Sequence, residues 1–255
     1  MQPEKSKSQK NKEGTWELVR SLIIAMILAT IFRSFFFEPF HIPSGSMKPT
    51  LLVGDYIFVS KPSYGYSRHS FPFGFPPFDG RIFEDKPERG DVIVFKLPSN
   101  PSVNYIKRLI GMPGDAIQMR NSVLYINDKA VPKKRIADFI EKDAYGSIQR
   151  TPRYIETLPN GVSHYVLDES ETMPLDNTPV YHVPEGHYFF MGDNRDNSAD
   201  SRVLQSVGYV DEDYLVGPAN NVFFSISTPF WKVWQWFSGI RAERFFHSIR
   251  LEADK

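Results

Sequence analysis

The chain contains no cysteine among its 255 residues. That absence removes disulfides, thiolate nucleophiles and cysteine-based zinc sites together, and it is compatible with an extracytoplasmic location. An excess of charge is missing as well, since Lys plus Arg and Asp plus Glu each number 30. No global electrostatic footprint for nucleic acid exists, so none is expected as a partner. The six histidines show no HExxH or comparable spacing, which leaves only carboxylates to hold any metal. Long amphipathic helices are scarce, and no internal repeat is visible.

What the chain does have is one apolar run, from Leu18 to Phe37, interrupted only by Arg20, Ser21, Thr30, Arg33 and Ser34. About 20 residues suffice for a helix to span hydrocarbon. Arg33 can snorkel to the outer interface, where Phe35, Phe36, Phe37 and Phe40 would join an aromatic belt. A cleaved signal peptide is the rival reading, but bulky and charged Arg33 to Pro39 offers no small-residue processing site. Ahead of the run, Met1 to Gly14 reads as a disordered polar tail in which Lys5, Lys7, Lys10 and Lys12 outweigh Glu4 and Glu13. That excess keeps the amino terminus in the cytoplasm and puts everything after residue 40 outside it.

Beyond the anchor, short β-rich runs alternate with Gly, Pro, Asn and Asp clusters, which predicts a mainly β fold. Strands are expected at Tyr56 to Ser60, Asp91 to Phe95, Tyr105 to Ile110, Ala116 to Met119, Val123 to Ile126, Tyr188 to Met191 and Asn221 to Ile226, with a hairpin turn at Asn121-Ser122. Tyr64 to Asp85 reads as an aromatic loop, and about Asn127 to Pro184 as an insertion of weaker periodicity. The aromatic cluster Phe230 to Phe237, followed by Arg241, Arg244 and Arg250, suits either a membrane interface or closure of the core.

Three segments carry the types of residue that chemistry needs. Pro43-Ser44-Gly45-Ser46-Met47 reads as a turn that presents two hydroxyls, of which Ser46 is the candidate nucleophile. Strand alternation at Tyr105 to Ile110 puts Tyr105, Lys107 and Leu109 on one face, so Lys107 points among apolar neighbours. Burial lowers a lysine pKa and makes the amine a usable base, whereas on an exposed edge it would stay charged. Gly192 to Arg202 is a polar loop with two readings. In one, Asp196, Ser198 and Asp200 alternate as calcium ligands do, although the glycine and closing glutamate of an EF-hand are missing. In the other, Arg195 and Arg202 neutralise aspartates while Ser198 orients Lys107.

Together these segments closely resemble bacterial signal peptidase I. The resemblance rests on Ile42 to Leu51, Gly54-Asp55, Arg89 to Phe95, Tyr105 to Asp115 and Gly192 to Arg202. It implies a serine endopeptidase that removes signal peptides from exported preproteins, using no cofactor and no metal. Ser46 would be the nucleophile and Lys107 its general base. Ser44 and the Ser46 amide would form the oxyanion hole, and Ser198 would hydrogen-bond the lysine. Asp200 and Arg202 would form a supporting ion pair, Asp193 and Asn194 would shape the turn, and Tyr105 would line the site.

Together the residue patterns and the resemblance give an organisation: residues 1–17 as cytoplasmic tail, 18–37 as transmembrane anchor, 38–126 and 185–229 as two parts of a β-rich catalytic core, 127–184 as an inserted smaller β-containing domain, and 230–255 as an aromatic and basic tail. Its partners would be signal-peptide-bearing preproteins and membrane lipid. The location would be the cytoplasmic (inner) membrane, with the catalytic domain on the periplasmic side. Two departures stand out, namely a single span where some relatives carry two, and Lys48 where apolar or polar residues also occur. An inactive anchored scaffold or chaperone for exported chains is the alternative of a different class, and such a protein would not need both Ser46 and Lys107.

Overall fold

In the computed structural model the described residues are 7–71, 78–142, 147–228 and 239–250. The aromatic cluster at 230–237 lies outside them, as do residues 1–6 of the polar tail. The amino-terminal helix α1 spans Lys7–Phe35. The stretch expected to be disordered is thus helical from Lys7, as its Lys, Gln and Glu content permits. Thr15–Phe35 is long and apolar enough to cross a membrane.

The helix ends two residues before the expected boundary, because Phe37 already opens strand β1, Phe37–His41. Pro39 cannot continue a helix and disfavours it at Glu38. β1 instead pairs antiparallel with β2, Asp55–Ser60, from Phe37↔Ser60 to His41↔Tyr56. Arg33 does not stand free in this arrangement, since its guanidinium binds Glu38 at 2.5 Å. Glu38 also meets the buried Lys61 at 2.9 Å. Burial would raise the Glu38 pKa, but Lys61 and Arg33 more than offset it and hold the carboxyl below its usual range.

The remaining strands are β3 (Val92–Leu97), β4 (Asn100–Gly111), β5 (Ala116–Arg120), β6 (Val123–Ile126), β7 (Lys129–Ala130), β8 (Lys133–Lys142), β9 (Ile148–Thr157) and β10 (Ser163–Leu167). After them come β11 (Tyr181–His182), β12 (His187–Met191), β13 (Val210–Asp211), β14 (Leu215–Ser225) and β15 (His247–Ser248). One large sheet runs β1-β2-β14-β3-β4-β12-β13, with β15 paired to β14. Its inner strands β3 and β12 are rich in Val, Ile and Phe and are buried on both faces, and apolar clusters form around Met47, Leu51 and Val59, around Phe95, Leu109 and Phe190, and around Ile110, Leu124 and Phe189. Phe95 stacks on Phe190 with ring centroids 4.6 Å apart.

Asn121 and Ser122 have φ of 48° and 61° and join β5 to β6 with Arg120↔Val123 in register, as a two-residue primed turn requires. The stretch 127–184 contributes to two sheets. β7 and β11 join β5 and β6 in a four-stranded sheet, while β10-β9-β8 form a three-stranded one. The latter is tied to the large sheet by a buried ion pair, with Arg195 2.5 Å and 3.0 Å from the two oxygens of Glu156 on β9. Burial opposes ionisation of Glu156, yet the Arg195 guanidinium and His164 hold its pKa far below the usual carboxylate range. Arg241 and Arg244, read as part of a basic tail, bind Asp55, and Arg250 binds Asp91. Described residues of the tail therefore close the domain.

Removing the guanidinium from the Arg195 pair leaves the buried Glu156 carboxylate with only His164, 3.4 Å away, beside it. Arg195→Met is expected to lose about 3–5 kcal/mol of stability, read as a lower urea midpoint by far-UV circular dichroism of the detergent-solubilised protein.

Candidate active site

The Ser44–Ser46 turn hangs from the end of β1. Ile42 donates its amide to Asp55 O at 2.9 Å and accepts from Gly54 N at 2.9 Å, which extends the β1–β2 pairing up to the turn. Past the serines, Met47 and Leu51 are both fully buried and pin the turn to the core. Its upper edge is held by Asn194, whose backbone N–H donates to Ser46 O at 3.0 Å and whose side-chain amide donates to Gly45 O at 3.1 Å.

Strand β4 delivers two cations in succession to opposite faces, as period-2 geometry demands. Arg108, 1% exposed, makes a bidentate pair with Asp193 at 2.7 and 2.8 Å. Burial alone would raise the Asp193 pKa, and the Arg108 guanidinium holds it down instead. Thr50 also donates its hydroxyl to Asp193 at 2.5 Å.

Lys107, on the other face, is 3% exposed. Its Nζ donates to Ser46 Oγ at 2.7 Å and to Ile106 O at 3.0 Å. The half-buried Tyr105 ring on the same face has its centroid 5.2 Å from Nζ. Burial pulls the amine down to about 8 from its ordinary value, with Asp200 and Asp193 opposing the fall. Ser46 is itself 8% exposed, and the Ser44 hydroxyl lies 3.4 Å from Ser46 Oγ. The Ser46 amide donates to no acceptor among the described residues. The arrangement joins a nucleophilic oxygen to a depressed-pKa amine, with a free N–H and a hydroxyl beside them.

The loop after β12 departs from expectation in three places. Ser198 does not bond to the lysine. Its hydroxyl is buried without a well-formed hydrogen bond, leans toward Asp200 and packs over Gly192. Asp200 and Arg202 do form the ion pair, 2.9 Å apart, and Asp200 accepts from Gly192 N while Arg202 donates to Arg195 O. Arg195, in contrast, neutralises Glu156 rather than an aspartate. The calcium reading fails because Asp200 is committed to Arg202 and Asp196 turns away to accept from Glu169 N and Ser170 N. Sequence reading missed Arg108 and Glu156, whose carboxylate and guanidinium partners lie 85 and 39 residues away, and His164 beside Glu156. The signal was there for Arg108 alone, in its adjacency to Lys107.

The family model described as "Signal peptidase, peptidase S26" matches residues 15–224. The chain belongs to this family. Among relatives named signal peptidase I, that of Rickettsia massiliae (strain Mtu5) is 39% identical over 268 residues, covering 98% of each chain. That of Rickettsia typhi (strain Wilmington) is 40% identical over 248 residues, covering 90% of this chain and 92% of the relative. A solved signal peptidase I from Enterococcus faecalis V583 is 28% identical and covers 52% of this chain and 97% of its own, with a TM-score of 0.30. Membership of the signal peptidases makes the chain a peptidase that cleaves signal peptides.

Gly192 is where this site tolerates least. A Cβ there would lie 2.7 Å from Ser46 O and 2.5 Å from Ser198 Cβ. Gly192→Ala should therefore cost about 1–3 kcal/mol by overpacking, measured as a drop in thermal midpoint.

Proposed function

We propose that the protein is a membrane-anchored serine endopeptidase in which Ser46 is the nucleophile and Lys107 the general base. The observation that carries this reading is the 2.7 Å contact between Lys107 Nζ and Ser46 Oγ, made by a lysine that is almost wholly buried. The neutral amine takes the Ser46 proton as Oγ attacks the carbonyl carbon at the cut, and the ammonium then returns that proton to the leaving amine. The carbonyl oxygen, now negative, is met by the Ser46 N–H and the Ser44 hydroxyl. Water, deprotonated by the same amine, attacks the acyl carbon, and the ammonium returns that proton to Ser46 Oγ as the ester bond breaks and the carboxylate product leaves.

The remaining residues act on that pair indirectly. Tyr105 lines the lysine's apolar slot, and Asp200 with Arg202 holds the loop that covers it. The carboxylates of Asp193 and Asp200 are each bound to a guanidinium, which leaves desolvation as the larger influence on Lys107. Apolar α1 supports a single span with the lysine-rich amino terminus in the cytoplasm and the catalytic domain on the outer face of the cytoplasmic membrane. Preproteins carrying signal peptides and the lipid around the anchor are then its partners.

The dyad sets two expectations. Ser46→Ala and Lys107→Ala should each lower cleavage of a preprotein with a small-x-small site on the order of a thousandfold or more, with the circular dichroism spectrum unchanged. Wild-type-like cleavage by either variant would remove the mechanism. Because the reactive form is the deprotonated amine, kcat/KM should climb about tenfold per pH unit below its pKa of about 8 and level off above it. A rate that is flat across that range in a pH series would assign the base elsewhere.

A further inference from the structure

Lys48 is the residue of the serine motif that this chemistry leaves without a task. Its side chain lies over Gly45, with Cε 3.2 Å from the place a Cβ would take. Its ammonium is bound to Glu141 on β8. The pair thus bridges the turn carrying Ser44 and Ser46 to the three-stranded sheet, across a cleft of about 420 Å³. Gln149 and Thr151 of β9, with Glu169, complete the far wall. A larger cavity of about 740 Å³ lies between Arg108, His164 and Arg250 and does not include the serines.

The cleft that does include them is lined mainly by polar and charged groups. A signal peptide brings an apolar run and small residues to the cut. Beyond the cut lies the start of a mature chain, whose side chains are not restricted in that way. A trough of carboxylates and amides opening from Ser46 is suited to the second of these and poorly suited to the first.

We infer that this cleft receives the first residues of the mature chain as an extended peptide, and that Lys48, Glu141 and Glu169 select the charges admitted there. The inference rests on Ser46 being the nucleophile. Lys48 offsets the charge of Glu141, whereas Glu169 accepts a hydrogen bond from the neutral amide of Asn197 at 2.9 Å. The Glu141 side chain is 37% exposed and the Lys48 side chain, which packs over Gly45, is 20% exposed, so the Glu141 reversal disturbs the packing less. Each replacement changes the sign of the local field in a known direction.

The test uses the full-length protein in detergent and two peptides identical through a small-x-small site. They carry Glu-Glu or Lys-Lys at the second and third residues after the cut, and a third peptide carries neutral residues there. The quantity read is the ratio of kcat/KM for the charged pair, in which any general loss of activity cancels. Glu141→Lys should move that ratio toward the Glu-Glu peptide by about fivefold or more, and Lys48→Glu should move it about as far toward Lys-Lys. Glu169→Gln supplies a milder shift in the first direction should either charge reversal prevent folding. Ratios that stay within about twofold of wild type in variants that still cleave, or that move in one direction for both reversals, overturn the inference. Failure of the folded wild type on all three peptides, the neutral one included, overturns the nucleophile assignment itself.

Discussion

A lysine amine beside a serine hydroxyl acts as a base only if it is kept dry, and drying it requires every neighbouring charge to be paired. Lys107 sits within the influence of Asp193 and Asp200, either of which would stabilise its ammonium and weaken it in the proposed role of base. Each is instead held by its own guanidinium, Asp193 by Arg108 and Asp200 by Arg202. Buried pairs of this kind add little net stability, but losing one partner strands the other. Their value here lies in leaving desolvation as the larger influence on the amine.

The backbone makes that arrangement compact. Consecutive residues of β4 face opposite ways, so Lys107 reaches Ser46 while Arg108 reaches Asp193 from the far side. Immediately after Asp193 comes Asn194, which grips Gly45 and Ser46 through two hydrogen bonds. Gly192, just before, lets Ser198 and the Ser46 carbonyl approach its bare Cα. Three successive residues of one loop therefore pair the buried arginine, hold the Ser44–Ser46 turn and admit its close packing.

Local patterns made much of this legible. The strands of the large sheet announce themselves by Val, Ile and Phe content, and Asn121-Ser122 by turn chemistry. The contact between Ser46 and Lys107 was legible as two motifs that make sense only together. The three-stranded sheet was not, because β8 and β9 are exposed over much of both faces and lack a buried stripe. Nor were the partners of Arg195, Arg244 and Arg250. An arginine run reads as a basic surface until the fold brings Asp55 and Asp91 to it from more than 150 residues away. Ser198 shows the opposite limit, since proximity in a polar loop does not say which neighbour a hydroxyl faces.

The junction at the end of α1 adds a constraint on where this site can work. A single residue, Phe36, separates the helix from β1, and it is not slack: Lys61 N donates to its carbonyl at 3.0 Å. Tyr66 donates its hydroxyl to Phe35 O at 2.6 Å, and Glu38 is clamped between Arg33 of the helix and Lys61 of the domain. A flexible linker would let the domain sample many heights and tilts above the bilayer. This joint does the reverse, so the eleven residue steps from Phe35 to Ser46 run along one paired strand and into a pinned turn. At no more than about 3.6 Å per extended residue, Ser46 can lie no farther than roughly 40 Å from the helix end. In the proposed membrane-anchored peptidase a cut site emerging from the same bilayer must come within that reach, and the Lys61–Glu38 pair helps to keep the reach from varying.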